Sequence, residues 1–262
     1  MPLTFYNRPG LVVYVTCGDP NLVATKEIVL AAIAAGADVI ELGVPFSDPL
    51  ADGPVIQRAS ERALKQETTL AQVLTLAAEI RERAQSTGLI IFSYLNPILR
   101  MGMEKFCKVA RAAGIDGVLV TDLPVEEAGE YLCSMHAHDL APVFLAAPTS
   151  TDARLKRIAR ASRGFVYAVS RTGVTGARHK LAEDAKKLVQ LLRRVTQLPV
   201  AVGFGISTPE QFAEVGEFAD AVVVGSAIVE TIERNPGRES AAVGKFVGKL
   251  LAVSDQPSAT SR

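Results

Sequence analysis

The chain has 262 residues, of which 48% are hydrophobic and 21% are charged, a composition typical of a folded globular protein and unlike that of a disordered chain. Lysine and arginine together number 28, and so do aspartate and glutamate, so the balanced charge gives no electrostatic signal for binding nucleic acid or a membrane surface. The three cysteines, Cys17, Cys107 and Cys133, form no C-x-x-C pair, which argues against a disulfide framework and favours the reducing cytoplasm.

Eight short apolar segments recur along the chain, and each is followed by a segment with helical periodicity. In chain order they are residues 11–16, 38–43, 89–95, 116–121, 141–146, 164–169, 199–204 and 220–225. Most are apolar throughout, which predicts strands buried on both faces of a parallel sheet. Eight strand–helix units predict an α/β fold of the (β/α)8 (TIM) barrel type, with an open doubly wound sheet as the alternative. We expect one domain over residues 1–253 and a disordered tail over residues 254–262.

Several local signals place the helices and the long connections. Ser207–Thr208–Pro209 and Ser150–Thr151 are typical helix starts, and Gly36, Gly88 and Gly114 are predicted to end helices. Two strand-to-helix connections, residues 44–53 and 170–180, exceed the usual length of roughly 2–6 residues. Long connections of this kind are commonly binding loops.

One carboxylate stands out at the predicted strand ends. Glu41 lies inside the apolar segment Val39–Gly43, where an ionised carboxylate is costly and burial raises its pKa towards the range useful for proton transfer. The alternative is a structural carboxylate paired with an arginine or a backbone N–H. Asp48 and Asp52 follow in the next loop, where each can be a functional carboxylate or simply a residue that forms a turn.

Glycines at the last two strand ends favour a phosphate site. Gly205 precedes a predicted helix start, and Gly225 and Ser226 open another helix. Backbone N–H groups at helix N-termini bind phosphate, and barrels often hold phosphate after strands 7 and 8. Residues 173–176 could complete such a site from the sixth loop, whereas the alternative is that these glycines only close tight turns.

The residue types that are missing also narrow the chemistry. No lysine falls at a predicted strand end, which argues against a Schiff base, and the three histidines form no plausible metal set. The residues alone therefore indicate a barrel without cofactor or metal that binds a phosphorylated small molecule and uses carboxylates as acid and base. Isomerisation, epimerisation and carbon–carbon cleavage all remain open at this point.

The strand-end segments resemble those of tryptophan synthase alpha chains. Residues 41–57, ELGVPFSDPLADGPVIQ, resemble that family's signature and are long enough to be specific. Further matching segments follow in order at residues 16–20, 94–97, 122–127, 170–176, 203–207 and 225–229, so the resemblance covers about residues 10–250.

The resemblance implies the retro-aldol cleavage of indole-3-glycerol phosphate to indole and glyceraldehyde 3-phosphate, in L-tryptophan biosynthesis. Glu41 matches the catalytic acid/base, Asp52 the aspartate that assists at the indole N–H, and Tyr167 a tyrosine near Glu41. The matching phosphate positions are Gly176, Gly205, Gly225 and Ser226, and the matching substrate-pocket positions are Tyr14, Phe92, Leu145 and Thr175.

The family resemblance also implies a partner. Family members dock on a beta chain to form an α2β2 heterotetramer, and pyridoxal phosphate belongs to that beta chain, so no cofactor is expected in this one. Asp48, Asn96 and Pro124 match interface positions. The alternatives are a free-standing lyase that releases indole without a partner, a weakly catalytic subunit that activates a beta chain, and another phosphate-binding barrel such as an epimerase.

Two features depart from the family pattern. Only about ten residues precede the first predicted strand, whereas the resemblance implies an N-terminal helix below the barrel. Phe165 stands where the family often has a second tyrosine. Neither departure affects Glu41 or Asp52.

Overall fold

A computed structural model describes residues 3–169, 178–203 and 205–252, without the side chains of residues 178–181. Most of the long sixth connection, including Thr175 and Gly176, therefore lies outside the described residues. The predicted tail also lies outside them, so its disorder stays a prediction.

Parallel strands form the centre of the molecule. They are β1 (Gly10–Thr16), β2 (Val39–Gly43), β3 (Gly88–Ser93), β4 (Gly117–Val120), β5 (Ala141–Val143), β6 (Leu145–Ala146), β7 (Val166–Val169), β8 (Val200–Gly203) and β9 (Ala221–Val224). Their order in the sheet is β5-β4-β3-β2-β1-β9-β8-β7-β6. Because only Phe144 separates β5 from β6, one continuous segment supplies both edges and the sheet closes as the predicted barrel. The open sheet is excluded.

The fifth predicted strand differs from the expectation, because it is two short strands rather than one. Phe144, between β5 and β6, is buried and packs edge-on against Tyr131, with ring centroids 6.1 Å apart. Its carbonyl still accepts a hydrogen bond from the Tyr167 N–H at 3.1 Å. The interruption therefore leaves the contact between β5–β6 and β7 in place.

Eleven helices lie among the described residues. They are α1 (Leu22–Ala34), α2 (Pro54–Lys65), α3 (Leu70–Arg83), α4 (Leu95–Met101), α5 (Met103–Ala112), α6 (Gly129–Ala137), α7 (Asp152–Ala161), α8 (Arg178–Arg193), α9 (Pro209–Gly216), α10 (Ser226–Glu233) and α11 (Glu239–Ala252). In this part of the chain, no helix has the length and apolar character needed to span a membrane.

The predicted helix boundaries are mostly confirmed. The Thr151 and Thr208 side chains cap α7 and α9, and Gly36 and Gly114 follow α1 and α5 with φ of +108° and +78°. The prediction for Gly88 was wrong, because this glycine is the first residue of β3. The preceding helix α3 ends at Arg83, and the Arg81 guanidinium binds the carbonyl oxygens of Ala84, Gln85 and Thr87 that follow it.

An extended N-terminal segment fills the bottom of the barrel, where the resemblance implied a helix. Leu3 is 5% exposed, and a Cβ atom added to Gly88 or Gly164 would lie 2.9 or 2.6 Å from its side chain. The Phe5 ring packs against Phe165, with centroids 5.6 Å apart. Phe165 thus belongs to an apolar layer inside the barrel, shared with Val12, Val39, Ile90, Leu119, Val143, Ala201, Ala221 and Val223.

This plug leads to a stability prediction for Leu3→Ala. We expect the free energy of unfolding to fall by about 2–5 kcal/mol, because a buried leucine loses its packing and leaves a cavity. Urea denaturation measures the change, and Val23→Ala on α1 is the control, since Val23 is 72% exposed. Equal unfolding midpoints for the two variants would contradict the role of Leu3 as a plug.

Candidate active site

Glu41 lies at the mouth of the barrel, on β2. Strand pairing places it between Tyr14 on β1 and Ile90 on β3. Its side chain is 1% exposed, and neither carboxylate oxygen makes a hydrogen bond with any described residue. Burial raises the pKa of Glu41 to about 8. At neutral pH the side chain is therefore mainly protonated and able to donate a proton.

Two tyrosine hydroxyls occupy space that glycines leave open beside Glu41. A Cβ atom on Gly43 would lie 2.4 Å from the Tyr14 hydroxyl, and one on Gly203 would lie 2.5 Å from the Tyr167 hydroxyl. Burial raises the pKa of both phenols, and the negative charges of Asp52 and Glu41 raise it further. Both hydroxyls are therefore neutral hydrogen-bond donors close to the two carboxylates.

Asp52 is held in place by a residue to which the sequence analysis assigned no role. The Tyr94 hydroxyl donates a hydrogen bond to Asp52 Oδ2 at 3.1 Å and accepts one from the Ala51 N–H at 2.9 Å. The Tyr94 ring stacks on Phe46 with centroids 4.8 Å apart. Burial raises the pKa of Asp52 to about 6, although the hydrogen bond from Tyr94 lowers it.

The connection that carries Asp52 is tied to the helix that follows it. The Gln57 side-chain amide donates hydrogen bonds to the carbonyl oxygens of Asp52 at 2.9 Å and Pro49 at 3.3 Å. Helix α2 begins at Pro54, a residue suited to the first helical position because it needs no N–H partner. The position of Asp52 therefore depends on the position of α2.

Helix α10 begins at the position where the sequence analysis predicted an anion-binding helix start. It begins at Ser226, directly after Gly225, and no side chain caps its first turn. Its first backbone N–H groups are therefore available to an anion at the positive end of the helix dipole. Gly205 is exposed and lies in the irregular segment before α9, whereas Gly176 lies outside the described residues.

Helix α9 differs from α10 in this respect. The Thr208 side chain caps α9 by accepting a hydrogen bond from the Gln211 N–H at 3.3 Å, and Pro209, its first residue, has no N–H. The start of α9 therefore has fewer backbone N–H groups free for an anion than the start of α10, and the phosphate role of Gly205 stays a prediction.

Three of the four predicted pocket residues, Tyr14, Phe92 and Leu145, lie among the described residues, on β1, β3 and β6. The Tyr14 and Phe92 rings meet edge to face with centroids 5.0 Å apart, and Leu145 pairs with Tyr167 across β6 and β7. Two residues that the sequence analysis missed, Ala59 of α2 and Val229 of α10, pack with Tyr14 in a separate apolar cluster. Helices α2 and α10 therefore form an apolar wall beside Tyr14.

Two of the predicted partner-interface residues, Asp48 and Pro124, lie on the connections after β2 and β4, and Asn96 is the second residue of α4, which follows β3. Asp48 and Asn96 are exposed, and Pro124 is partly exposed. Two connections are joined by a hydrogen bond of 2.8 Å from the Leu95 N–H to Asp122 Oδ1. Leu50, which is 93% exposed and lies on the connection after β2, and the exposed Leu99 of α4 add apolar surface to the same side of the barrel. The sequence analysis did not single out either leucine.

No group of three or more His, Cys, Asp or Glu residues is arranged to hold a metal ion within the described ranges. His138, at the end of α6, contacts Glu104 on α5 at 2.7 Å, away from the barrel mouth.

Comparisons with known proteins identify the family. The family model described as tryptophan synthase alpha chain matches residues 3–254. The alpha chain of Solibacter usitatus is 57% identical over 237 residues, which cover 90% of this chain and 88% of the relative. The chain belongs to the tryptophan synthase alpha chain family.

Solved structures agree with this assignment. The tryptophan synthase alpha subunit of Legionella pneumophila has a TM-score of 0.87 and 36% identity, covering 94% of this chain and 93% of that one. Tryptophan synthase from M. tuberculosis, in its aminoacrylate-bound form, has a TM-score of 0.85 and 34% identity, covering 94% of both chains. These neighbours confirm the TIM barrel.

Family membership establishes the reaction. The chain is a carbon–carbon lyase that cleaves indole-3-glycerol phosphate to indole and glyceraldehyde 3-phosphate in tryptophan biosynthesis. The epimerase alternative is therefore set aside.

Proposed function

We propose that Glu41 is the acid and base of this cleavage. The observation that carries the proposal is a buried carboxyl group at the barrel mouth with no hydrogen-bond partner among the described residues. Such a group is protonated near neutral pH and is free to exchange its proton with a substrate.

The chemistry explains why one carboxyl group suffices. Cleavage needs a site in the substrate that accepts the electrons of the breaking carbon–carbon bond, and protonation of indole C3 creates an iminium-like ring that does so. The glycerol hydroxyl loses a proton as the aldehyde forms. One proton is therefore added at C3 and one is removed from the hydroxyl, so Glu41 can donate the first and accept the second.

Asp52 has a complementary role in this proposal. Its carboxylate accepts a hydrogen bond from the indole N–H and stabilises the positive charge that develops on the ring. Tyr94 orients this carboxylate, and Tyr167 supplies a neutral hydroxyl beside Glu41.

The remaining residues bind the two ends of the substrate. We place the phosphate at Gly225 and Ser226, with Gly205 and Gly176 completing the site. The indole ring lies among Tyr14, Phe92, Leu145 and Thr175. The uncapped start of α10 and the apolar wall at the barrel mouth support this orientation.

We further propose that the chain acts in the cytoplasm as the alpha subunit of an α2β2 heterotetramer. Asp48, Asn96 and Pro124 would contact the beta chain, which would hold pyridoxal phosphate, while this chain needs no cofactor of its own. The support is the exposed surface around Leu50 and Leu99 and the likeness to the tryptophan synthase of M. tuberculosis.

The two carboxyl groups predict a bell-shaped pH dependence of kcat/KM. Glu41 must be protonated to donate, so activity falls as the pH rises through its pKa of about 8. Asp52 must be ionised, so activity also falls as the pH drops through about 6. Asp52→Asn is expected to remove the acid limb and keep the alkaline limb. A profile for the wild-type chain that stays flat from pH 5 to about 9 would contradict both assignments.

The phosphate site predicts a strong effect of Ser226→Asp. A carboxylate at the start of α10 repels the phosphate and competes for the same N–H groups, so we expect KM to rise by about 10-fold or more. Ser226→Ala is the matched control, since it removes the hydroxyl without adding charge. Steady-state kinetics measures the effect, and an unchanged KM in Ser226→Asp would refute this placement.

A further inference from the structure

Four charged side chains form a network outside the pocket. The Arg62 guanidinium donates two hydrogen bonds to the Asp19 carboxylate, from Nε at 2.8 Å and from Nη2 at 2.7 Å. Its third nitrogen, Nη1, donates to Glu233 at 2.8 Å. Glu233 also accepts two hydrogen bonds from Arg58, at 3.2 and 3.0 Å.

Arg62 is the centre of this network. Asp19 is 2% exposed, and Arg62 binds both of its oxygens in a two-pronged arrangement that fixes the guanidinium plane. Arg58, by contrast, contacts only Glu233 among these acids and is more exposed. The two arginines and two carboxylates carry no net charge together. The network therefore acts on the pocket mainly by fixing the positions of the segments that it joins, rather than through a long-range electric field.

The network joins three segments that reach the pocket. Asp19 follows β1, whose residue Tyr14 lines the mouth of the barrel. Arg62 lies on α2, which begins two residues after Asp52, and Glu233 is the last residue of α10, which begins at Ser226. A helix transmits a shift at one end to the other, so the contacts of Arg62 influence the separation of Asp52 from the start of α10.

We propose that Arg62 is a positioning residue for the cleavage reaction, because it joins Asp19 to Glu233 and so sets the spacing between Asp52 and the phosphate-binding end of α10. A substrate held by its phosphate then presents its indole N–H at the correct distance from Asp52. A misplacement of about 1 Å can cost on the order of 100-fold in rate. This inference rests on the proposed roles of Asp52 and α10.

The first test compares Arg62→Gln with a matched surface variant. We expect kcat to fall at least 10-fold while KM and competitive inhibition by inorganic phosphate change less than about 3-fold, since α10 itself is intact. The kcat of Arg62→Lys should fall less than that of Arg62→Gln, because lysine keeps the positive charge. Arg234→Gln is the control, since the ion pair of Arg234 among the described residues is an exposed one with Glu230 on α10. All assays are made below the measured unfolding temperature of each variant.

A second variant covers the case in which Arg62→Gln does not fold. Glu233→Gln weakens the same link from α10 and leaves the contact between Arg62 and Asp19 intact, so it should also lower kcat with little change in KM. A kcat close to wild type in either folded variant overturns the proposal. Failure of the proposed roles would look different, because Asp52→Asn would then keep its activity and Ser226→Asp would keep its KM.

A double-mutant cycle shows whether Arg62 acts through Asp52. In the Asp52→Asn background, Arg62→Gln should lower kcat by less than about 3-fold, because the group that it positions is already disabled. The same loss in both backgrounds would mean that Arg62 does not act through Asp52, and it would overturn the inference.

Discussion

Glu41→Gln is expected to lower kcat by about 10²–10⁴-fold, the range typical of a lost general acid, while substrate still binds. Glutamine has nearly the same shape as glutamic acid but cannot give up a proton to indole C3. Because the Glu41 oxygens have no hydrogen-bond partner among the described residues, the substitution breaks no visible contact in the protein. Loss of activity would therefore report chemistry rather than folding.

Two measurements separate a loss of the chemical step from a loss of substrate binding in Glu41→Gln. Steady-state kinetics gives kcat, and equilibrium binding of the substrate to the inactive variant gives its affinity, which should stay within a few-fold of the wild-type KM. Urea denaturation should show no loss of stability, since the side chain stays buried with less cost when it cannot ionise. A kcat near the wild-type value would refute the role of Glu41.

Gly43→Ala is expected to lower kcat/KM by about 100-fold, because the new methyl group would lie 2.4 Å from the Tyr14 hydroxyl. Tyr14 cannot move aside freely, since its ring packs against Phe92 and its hydroxyl lies 3.3 Å from Thr16 Oγ1. The displaced ring would disturb the pocket next to Glu41.

The control for Gly43→Ala is Gly248→Ala on α11, where an added Cβ meets no atom within 4 Å. Its kinetics and stability should match the wild type or show slightly greater stability, since alanine favours a helix. Steady-state kinetics gives kcat/KM for both variants. A kcat/KM for Gly43→Ala within about 3-fold of wild type would show that Tyr14 does not need its present position.

The barrel could be predicted because its signals are local and repeated. Each buried parallel strand is a continuous apolar segment, and threonine caps such as Thr151 mark the helices between them. The break at Phe144 could not be predicted, because it depends on packing against Tyr131, a contact that no local pattern reveals. The N-terminal plug depends in the same way on Leu3 meeting Gly88, Gly117 and Gly164, which lie far from it along the chain.

The candidate site was only partly accessible to sequence reasoning. Glu41 stands out because a carboxylate in an apolar strand conflicts with its surroundings, and such conflicts mark functional sites. Asp52 could not be separated from Asp48 by the residues alone and was distinguished by the family resemblance. Tyr94 was missed because its role depends on a hydrogen bond to a residue 42 positions away.

For the phosphate site, the sequence could not show which helix start is free to bind an anion. Residues such as Ser207 and Thr208 mark a helix start equally well whether the helix caps itself or binds an anion. The structure separates these cases, because Thr208 occupies the end of α9 whereas the start of α10 carries no side-chain cap. The network around Arg62 was also missed, since its four members come from three segments far apart in the chain.

The most direct test of the account is the release of indole from indole-3-glycerol phosphate by the purified chain, measured with and without a tryptophan synthase beta chain. We expect measurable release by the chain alone and strong stimulation by the beta chain, as docking completes the closed site. Fast release that the beta chain does not change would contradict the proposed heterotetramer and indicate a free-standing lyase. No release under either condition would contradict the assignment of Glu41 and Asp52 as a working catalytic pair.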